Sequence, residues 1–267
     1  MERVPPKPGV DCQAKMMTRN DEAPVAVGHK APRYRRVLLK MSGQALQGDA
    51  EYGIDRMTLN YVGGQILHAR EMGVELGVVV GGGNIWRGQA QASLIGIDRA
   101  TADYMGMLAT VINALALKAA LERLQVETRV QSAITMAEIA ESYIRETAMQ
   151  HLERGRVVIF AAGTGNPFFT ADTAAALRAL EVGAEVLLMA KNRVDGVYTD
   201  DPVTNPKARR YERLSYIDAL AQGLGVMDST ALSLCMDNHL PIVVFDLENP
   251  QNLERLLVGE EVGTLIS

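Results

Sequence analysis

What most constrains the fold of this chain is an alternation that begins at Arg36, where short β-branched or aliphatic runs are separated by longer stretches of helical character. The runs are Val37–Lys40, Val74–Val80, Val126–Gln131, Val157–Ala161, Glu185–Ala190 and Ile242–Phe245. Between them lie the helical stretches Asp55–Met72, Thr101–Leu124, Thr135–Leu152, Asp172–Val182, Tyr216–Gly223, Asp228–Asn238 and Asn249–Val258. Strands that are apolar almost throughout need cover on both faces, and crossovers of this length join parallel neighbours. The expected class is α/β, a three-layer αβα sandwich with a mainly parallel central sheet. One segment breaks the pattern: Arg193–Asp201 contains Val-Asp-Gly-Val-Tyr-Thr, a turn dipeptide between two β-prone pieces, and predicts a small hairpin.

Residues 1–33 hold half of the ten prolines, and their longest apolar run is Val25-Ala26-Val27. Such a segment buries too little to offset its ordering entropy, so a flexible tail is expected there, followed by one domain over 34–267. Its apolar run is too short for a signal peptide, and its acids Glu2, Asp11, Asp21 and Glu22 argue against a transit peptide. The apolar stretch Tyr104–Leu121 is interrupted by Asn113 and Lys118 and reads as a buried helix, not a membrane span. Cys12 and Cys235 are too far apart in sequence for a redox pair, which fits a reducing cytoplasm. An excess of 32 acidic over 27 basic residues with 5% aromatics argues against nucleic acid as the main substrate.

Glycine carries the chemical information. Three strand ends run into glycine-rich turns: Lys40-Met41-Ser42-Gly43, Gly81-Gly82-Gly83-Asn84 with Arg87 beyond it, and Gly163-Thr164-Gly165-Asn166-Pro167-Phe168-Phe169-Thr170-Ala171-Asp172. Each turn offers backbone N–H groups at the carboxyl edge of a parallel sheet, where an oxyanion can approach closely. Lys40 and Arg87 add positive charge where a strand end or a helix start would ordinarily not favour it. Together they suit phosphoryl transfer, in which positioning and charge stabilise a loose transition state. Asp172 also suits a helix N-cap, a role compatible with a catalytic one.

Other chemistries are excluded by what is missing. There is no G-x-x-x-x-G-K-[ST], no G-x-S-x-G and no H-x-x-x-H. His29, His68, His151 and His239 are scattered, so no acid–base pair and no protein-built metal site is expected. A phosphate acceptor needs no base, because with a second pKa of about 6 it is largely ionised at neutral pH.

These motifs resemble the bacterial UMP kinases of the amino acid kinase superfamily. The matching blocks are Arg36–Gly43, Gly81–Asn84 with Arg87, Asp103–Thr110, Gly163–Thr170, and Val194–Tyr198 through Asp201-Pro202. The Gly-Thr-Gly-Asn-Pro-Phe-Phe block separates that family from acetylglutamate kinase, aspartokinase and carbamate kinase. The resemblance implies Mg²⁺-dependent transfer of the ATP γ-phosphoryl to UMP, giving UDP for pyrimidine nucleotide synthesis, with the magnesium carried as Mg-ATP. It implies that Lys40, Arg87 and Asp172 are catalytic. It assigns ATP to Lys40, Met41, Ser42, Gly43, Gly83, Arg87, Asn192, Tyr198 and Asp201, with either Lys191 or Asn192 facing the nucleotide. UMP falls to Gly82, Asp103, Thr164, Gly165, Asn166, Pro167, Phe168, Phe169, Thr170 and Ala171.

The family commonly has Thr where this chain has Ala171, and Glu where it has Gln44. Its members are typically hexamers activated by GTP and inhibited by UTP, and Gly48–Gly53 lies where some respond to GTP. Met105–Ala120 is either a subunit surface or part of the monomer core. The alternatives are another kinase of the superfamily with a carboxylate or carbamate acceptor, and a regulatory module that binds UTP or GTP without turnover. The Gly163–Thr170 block weighs against the first, and the presence of Lys40, Arg87 and Asp172 against the second.

Overall fold

The structure, a computed structural model, describes residues 31–88, 95–192 and 194–267. The tail expectation falls almost wholly on residues 1–30, outside the described residues. Of its last residues, Arg33 is tied to the fold: its N–H donates to the Leu257 carbonyl at 2.7 Å and its guanidinium lies 5.3 Å from the centre of the Tyr34 ring.

The strands are β1 (Arg36–Met41), β2 (Glu75–Val80), β3 (Thr128–Ser132), β4 (Glu141–Ser142), β5 (Val157–Ala161), β6 (Val186–Lys191), β7 (Arg213–Leu214), β8 (Ile242–Asp246) and β9 (Thr264–Ile266). They form one sheet in the order β4-β3-β5-β2-β1-β6-β8-β9-β7, parallel throughout except where β9 runs antiparallel to β8. The helices are α1 (Arg56–Glu71), α2 (Arg99–Arg123), α3 (Arg145–Glu153), α4 (Ala171–Val182), α5 (Tyr216–Ala221), α6 (Ser229–Asp237) and α7 (Asn252–Leu257).

Strand side chains alternate between two cores, as a period of two requires. On one face Val37, Leu39 and Met41 of β1 and Val186, Leu188 and Ala190 of β6 pack with α1, α2 and α7. On the other, Leu38 of β1 and Leu187 and Met189 of β6 pack with α3, α4, α5 and α6. This is the expected three-layer sandwich. Helix α2 is long and apolar enough to cross a membrane, but Ala114, Leu117 and Leu121 are fully buried in the first core, as expected of a core helix. Its other side leaves Tyr104, Leu108 and Ile112 about half exposed, one helical repeat apart.

Two expectations need correction. The stretch Thr135–Leu152 is not one helix: β4 interrupts it, and α3 starts only at Arg145. Around Val-Asp-Gly-Val-Tyr the antiparallel pairing exists, but Asp195-Gly196 is not its turn. Tyr198 bridges Arg210, with Thr199 N–H donating to the Arg209 carbonyl and Tyr211 N–H to that of Val197, so residues 200–208 make the connection. Gly196 serves a close approach instead, since a Cβ there would stand 2.6 Å from Thr264 Oγ1 and 2.7 Å from Arg210 Cδ.

Candidate active site

All three glycine turns open at the carboxyl edge of the central strands, the usual ligand edge of such sheets. Lys40, on the last turn of β1's pleat before Met41, has the parity of Leu38 and so faces α4. There its ammonium pairs with Asp172 Oδ1 at 2.6 Å, the side chains being only 12% and 19% exposed. Asp172 sits in the first turn of α4, but the N-cap is Thr170, whose Oγ1 accepts from the N–H groups of Asp172 (3.0 Å) and Thr173 (3.3 Å). With the cap supplied elsewhere, the Asp172 carboxylate is left for Lys40. That corrects the expected cap role.

Asp228 holds this helix start in place. It accepts hydrogen bonds from the Thr170 hydroxyl and from Thr173 Oγ1 (3.0 and 3.1 Å), and its Oδ1 also accepts from Ala231 N–H as the N-cap of α6. One carboxylate therefore joins the starts of α4 and α6. Sequence reasoning put Asp228 at a helix start and gave it no role at the site, because the partner threonines lie more than fifty residues away.

The first turn continues into a short 3-10 helix, Gly43–Leu46, where Ser42 Oγ accepts from Gln44 N–H at 3.3 Å. Gly43 is required by close approach: a Cβ would stand 2.2 Å from Asn84 Oδ1 and 2.6 Å from the Gly81 carbonyl. Asn84 and Asn113 form a buried reciprocal pair, Nδ2 to Oδ1 at 3.0 and 2.7 Å. Asn84 also donates to the Gly53 carbonyl, and Asn113 to that of Gly81. The segment 48–53, the second glycine turn and α2 are thus one hydrogen-bonded unit. Arg87 is exposed and donates from Nε to the Gly83 carbonyl at 3.3 Å.

The third turn is held in unusual backbone. Ala162 and Phe168 have φ of 61° and 73°, a left-handed conformation that costs side-chain-bearing residues energy; Gln125 and His239 share it just past helix ends. Helix α2 supports both: Thr110 Oγ1 accepts from Ala162 N–H at 2.8 Å, and Asp103 Oδ2 accepts from Phe168 N–H at 2.8 Å. Asp103 also receives the Arg99 Nε–H on both oxygens, at 2.9 and 2.8 Å. Asn166, Phe168, Phe169 and Thr170 are exposed, and Ala171 opens α4.

Two cavities flank the end of β6. The larger, of about 770 Å³, lies on the α1 side and is lined by Gln44, Gly48, Tyr61, Arg87, Asn192 and Leu247 among others. The smaller, of about 410 Å³, is lined by Lys191, Tyr198, Asp201, Pro202 and Gly223–Val226. Lys191 shares the parity of Met189 and Asn192 that of Ala190, so neighbouring residues open into different cavities. Asn192 is therefore not brought together with Tyr198 and Asp201, while Lys191 is. Tyr198 donates to Asp195 Oδ1 at 2.6 Å, which raises its pKa. The Lys191 pKa is lowered, first by burial and then by the Lys40 charge, with Asp172 opposing. Among the described residues no group of three or more His, Cys, Asp or Glu could hold a metal ion.

The amino acid kinase family model matches residues 35–246. The chain belongs to the amino acid kinase family. Among solved structures it is similar to a UMP kinase from Bacillus anthracis, at 42% identity over 88% of this chain and 96% of that one, with a TM-score of 0.86. A UMP kinase from Ureaplasma parvum matches at 40% identity over 88% and 99%, TM-score 0.83, and a uridylate kinase from Archaeoglobus fulgidus at 28% over 86% and 99%, TM-score 0.68. In this kinase a largely shielded lysine–aspartate pair joins the end of β1, at the first glycine turn, to the helix start that follows the third.

Proposed function

We propose that this kinase transfers the γ-phosphoryl of ATP to UMP, giving UDP for pyrimidine nucleotide synthesis. The observation that carries the reading is the Lys40–Asp172 pair at 2.6 Å, at the meeting point of the glycine turns and at the base of the Gly163–Thr170 loop. The similarity to two UMP kinases at 40% identity or more supports the acceptor. ATP is proposed to lie with its phosphates over Lys40–Gly43, Gly83 and Arg87 and its base and ribose end against Tyr198 and Asp201, with Asn192 approaching from the α1 side. UMP is proposed to lie along Gly82, Asp103 and Thr164–Ala171. Asp103 has three of a carboxylate's roughly four acceptor positions taken, which leaves room for one ribose hydroxyl.

The chemistry asks for charge rather than for a base, because the UMP phosphate is already an ionised nucleophile. Lys40 neutralises charge spreading over the transferred phosphoryl, and Asp172 keeps that ammonium aimed. Magnesium, when bound, screens the phosphate oxygens. With Asp172 engaged by Lys40, the ion is proposed to arrive as Mg-ATP, held mainly by the substrate's own oxygens and water.

Regulation is proposed to follow the same layout, with GTP activating, UTP inhibiting, and a homohexamer formed in the cytoplasm. The half-exposed Tyr104, Leu108 and Ile112 on α2 suit a subunit contact. The Asn84–Asn113 pair gives the segment 48–53 a direct link to the second glycine turn. The test is ADP formation with ATP and Mg²⁺, offering UMP, CMP, dUMP, AMP and acetylglutamate separately, each with and without GTP. Turnover with UMP, raised by GTP, is expected. No turnover with any acceptor, alongside measurable UTP or GTP binding, would replace the reading with a non-enzymatic regulatory one.

A further inference from the structure

Lys191 is a charged residue in a place that disfavours charge, and the reading above gives it no task. It ends β6, whose preceding residues Val186–Ala190 are all buried, and its ammonium donates to the Val226 carbonyl at 2.7 Å. A carbonyl is a neutral acceptor, so this bond holds the ammonium without neutralising it. Strand register fixes where that charge stands. Lys40 of β1 pairs with Met189 of β6, and Lys191 lies two residues further along on the same face. On ideal sheet spacing the two Cβ atoms are roughly 8 Å apart, a gap that two lysine stems span easily. The carboxylate nearest both is Asp172, already paired with Lys40, so two cations share one anion.

Two ammonium groups against one shared carboxylate leave an excess of positive charge between Lys40 and the cavity lined by Tyr198, Asp201 and Gly223–Val226, whose own carboxylates Asp200 and Asp201 accept hydrogen bonds within their loop. We propose that Lys191 is a second cation for the phosphate chain of the donor nucleotide, binding it where it passes from that cavity toward Lys40. The inference rests on the ATP-dependent reading above and adds a residue to it. The bond to Val226 positions the ammonium in the free enzyme. An incoming phosphate oxygen supplies the countercharge that the carbonyl lacks, which is why burying the lysine is tolerated. The lowered pKa, caused first by burial and then by the Lys40 charge, agrees with that placement.

The experiment uses the full chain and titrates Mg-bound AMP-PNP, ADP and AMP calorimetrically into wild type, Lys191→Gln and Lys191→Arg. Gln can still donate to the Val226 carbonyl, so a tether role alone survives in K191Q. Expected is a loss of about tenfold or more for AMP-PNP and ADP in K191Q, little change for AMP or UMP, and substantial recovery in K191R. Wild-type affinity for AMP-PNP in K191Q would overturn the proposal, as would an equal loss for AMP, which has no phosphate beyond the first. Retained UMP affinity and an unchanged melting temperature report that K191Q is folded. Should K191Q not fold, Lys191→Met takes its place: AMP-PNP binding about tenfold or more below wild type in a folded K191M, with AMP binding unchanged, is the expected result, and wild-type AMP-PNP binding in K191M overturns the proposal. Wild type that binds AMP-PNP but phosphorylates no UMP would refute the acceptor assignment and leave this one standing.

Discussion

The two cavities beside β6 are separated by a single residue step, yet they are built differently. On the α4 and α6 side, Lys191 of the lining stands beside the Lys40–Asp172 pair, and Asp228 locks the two helix starts that frame that pair. On the α1 side the charges Asp49, Arg87 and Glu248 are spread among Gln44, Tyr61 and Asn192, and the buried Asn84–Asn113 pair ties the segment 48–53 to the second glycine turn. Clustered charge on one side and amide hydrogen bonds on the other suit different tasks. The first suits the proposed stabilisation of a reacting phosphoryl, and the second the proposed link between the segment 48–53 and the glycine turns.

The largest effect is expected on the charged side. Lys40→Met removes the cation proposed to act mainly in the transition state, and kcat should fall about 10²-fold or more with the fold retained. Steady-state kinetics with circular dichroism check it, and a fully active K40M would erase the distinction between the two cavities. Asp228→Ala should come next. It strips the acceptor from two threonine hydroxyls and the cap from α6, so a loss of about 1–2 kcal/mol in stability is expected together with a kcat reduced about tenfold. Thermal melts and kinetics on the same sample separate the two, since a stability loss with unchanged kcat would make Asp228 a structural cap only.

How much of this was legible in the sequence depends on distance along the chain. Lys40 and the glycine turns could be read because strand, turn and cation are contiguous. The sandwich could be read because β1, β2, β5, β6 and β8 are apolar except for a charge at or near their ends, as doubly covered strands tend to be. The short strands β4, β7 and β9 could not, since two or three residues carry no period. Nor could Asp228, whose partners come from a helix far away in sequence. The choice between Lys191 and Asn192 was open until the end of β6 was known: once the parity of Met189 is fixed, the two must part.

Intermediate effects are expected where α2 supports a loop. Asp103→Asn weakens its hold on Arg99 and alters the acceptor for Phe168 N–H, so the KM for UMP should rise several-fold with a smaller change in kcat. An unchanged KM in UMP titrations would remove Asp103 from the acceptor site. Asn113→Ala leaves Asn84 Oδ1 and the Gly81 carbonyl without a buried donor, a cost of about 1–3 kcal/mol by denaturant titration. Its sharper readout is regulatory: GTP should raise the rate of N113A less than that of wild type.

The smallest effect sharpens the comparison most. Asn192 and Tyr198 lie close in sequence, and both are assigned to ATP, but they line different cavities. If the base and ribose occupy the smaller cavity, Tyr198→Ala should raise the KM for ATP clearly, while Asn192→Ala touches only the phosphate end and should change it by less than about threefold. The two variants differ in a second respect. Removing Tyr198 frees Asp195, which Arg210 still pairs at 2.7 Å, so the bridge that closes residues 200–208 should survive and the loss should be one of contact rather than of fold. Equal KM increases in Y198A and N192A would mean that the nucleotide spans both cavities, and that β6 divides the lining of the site without dividing its function.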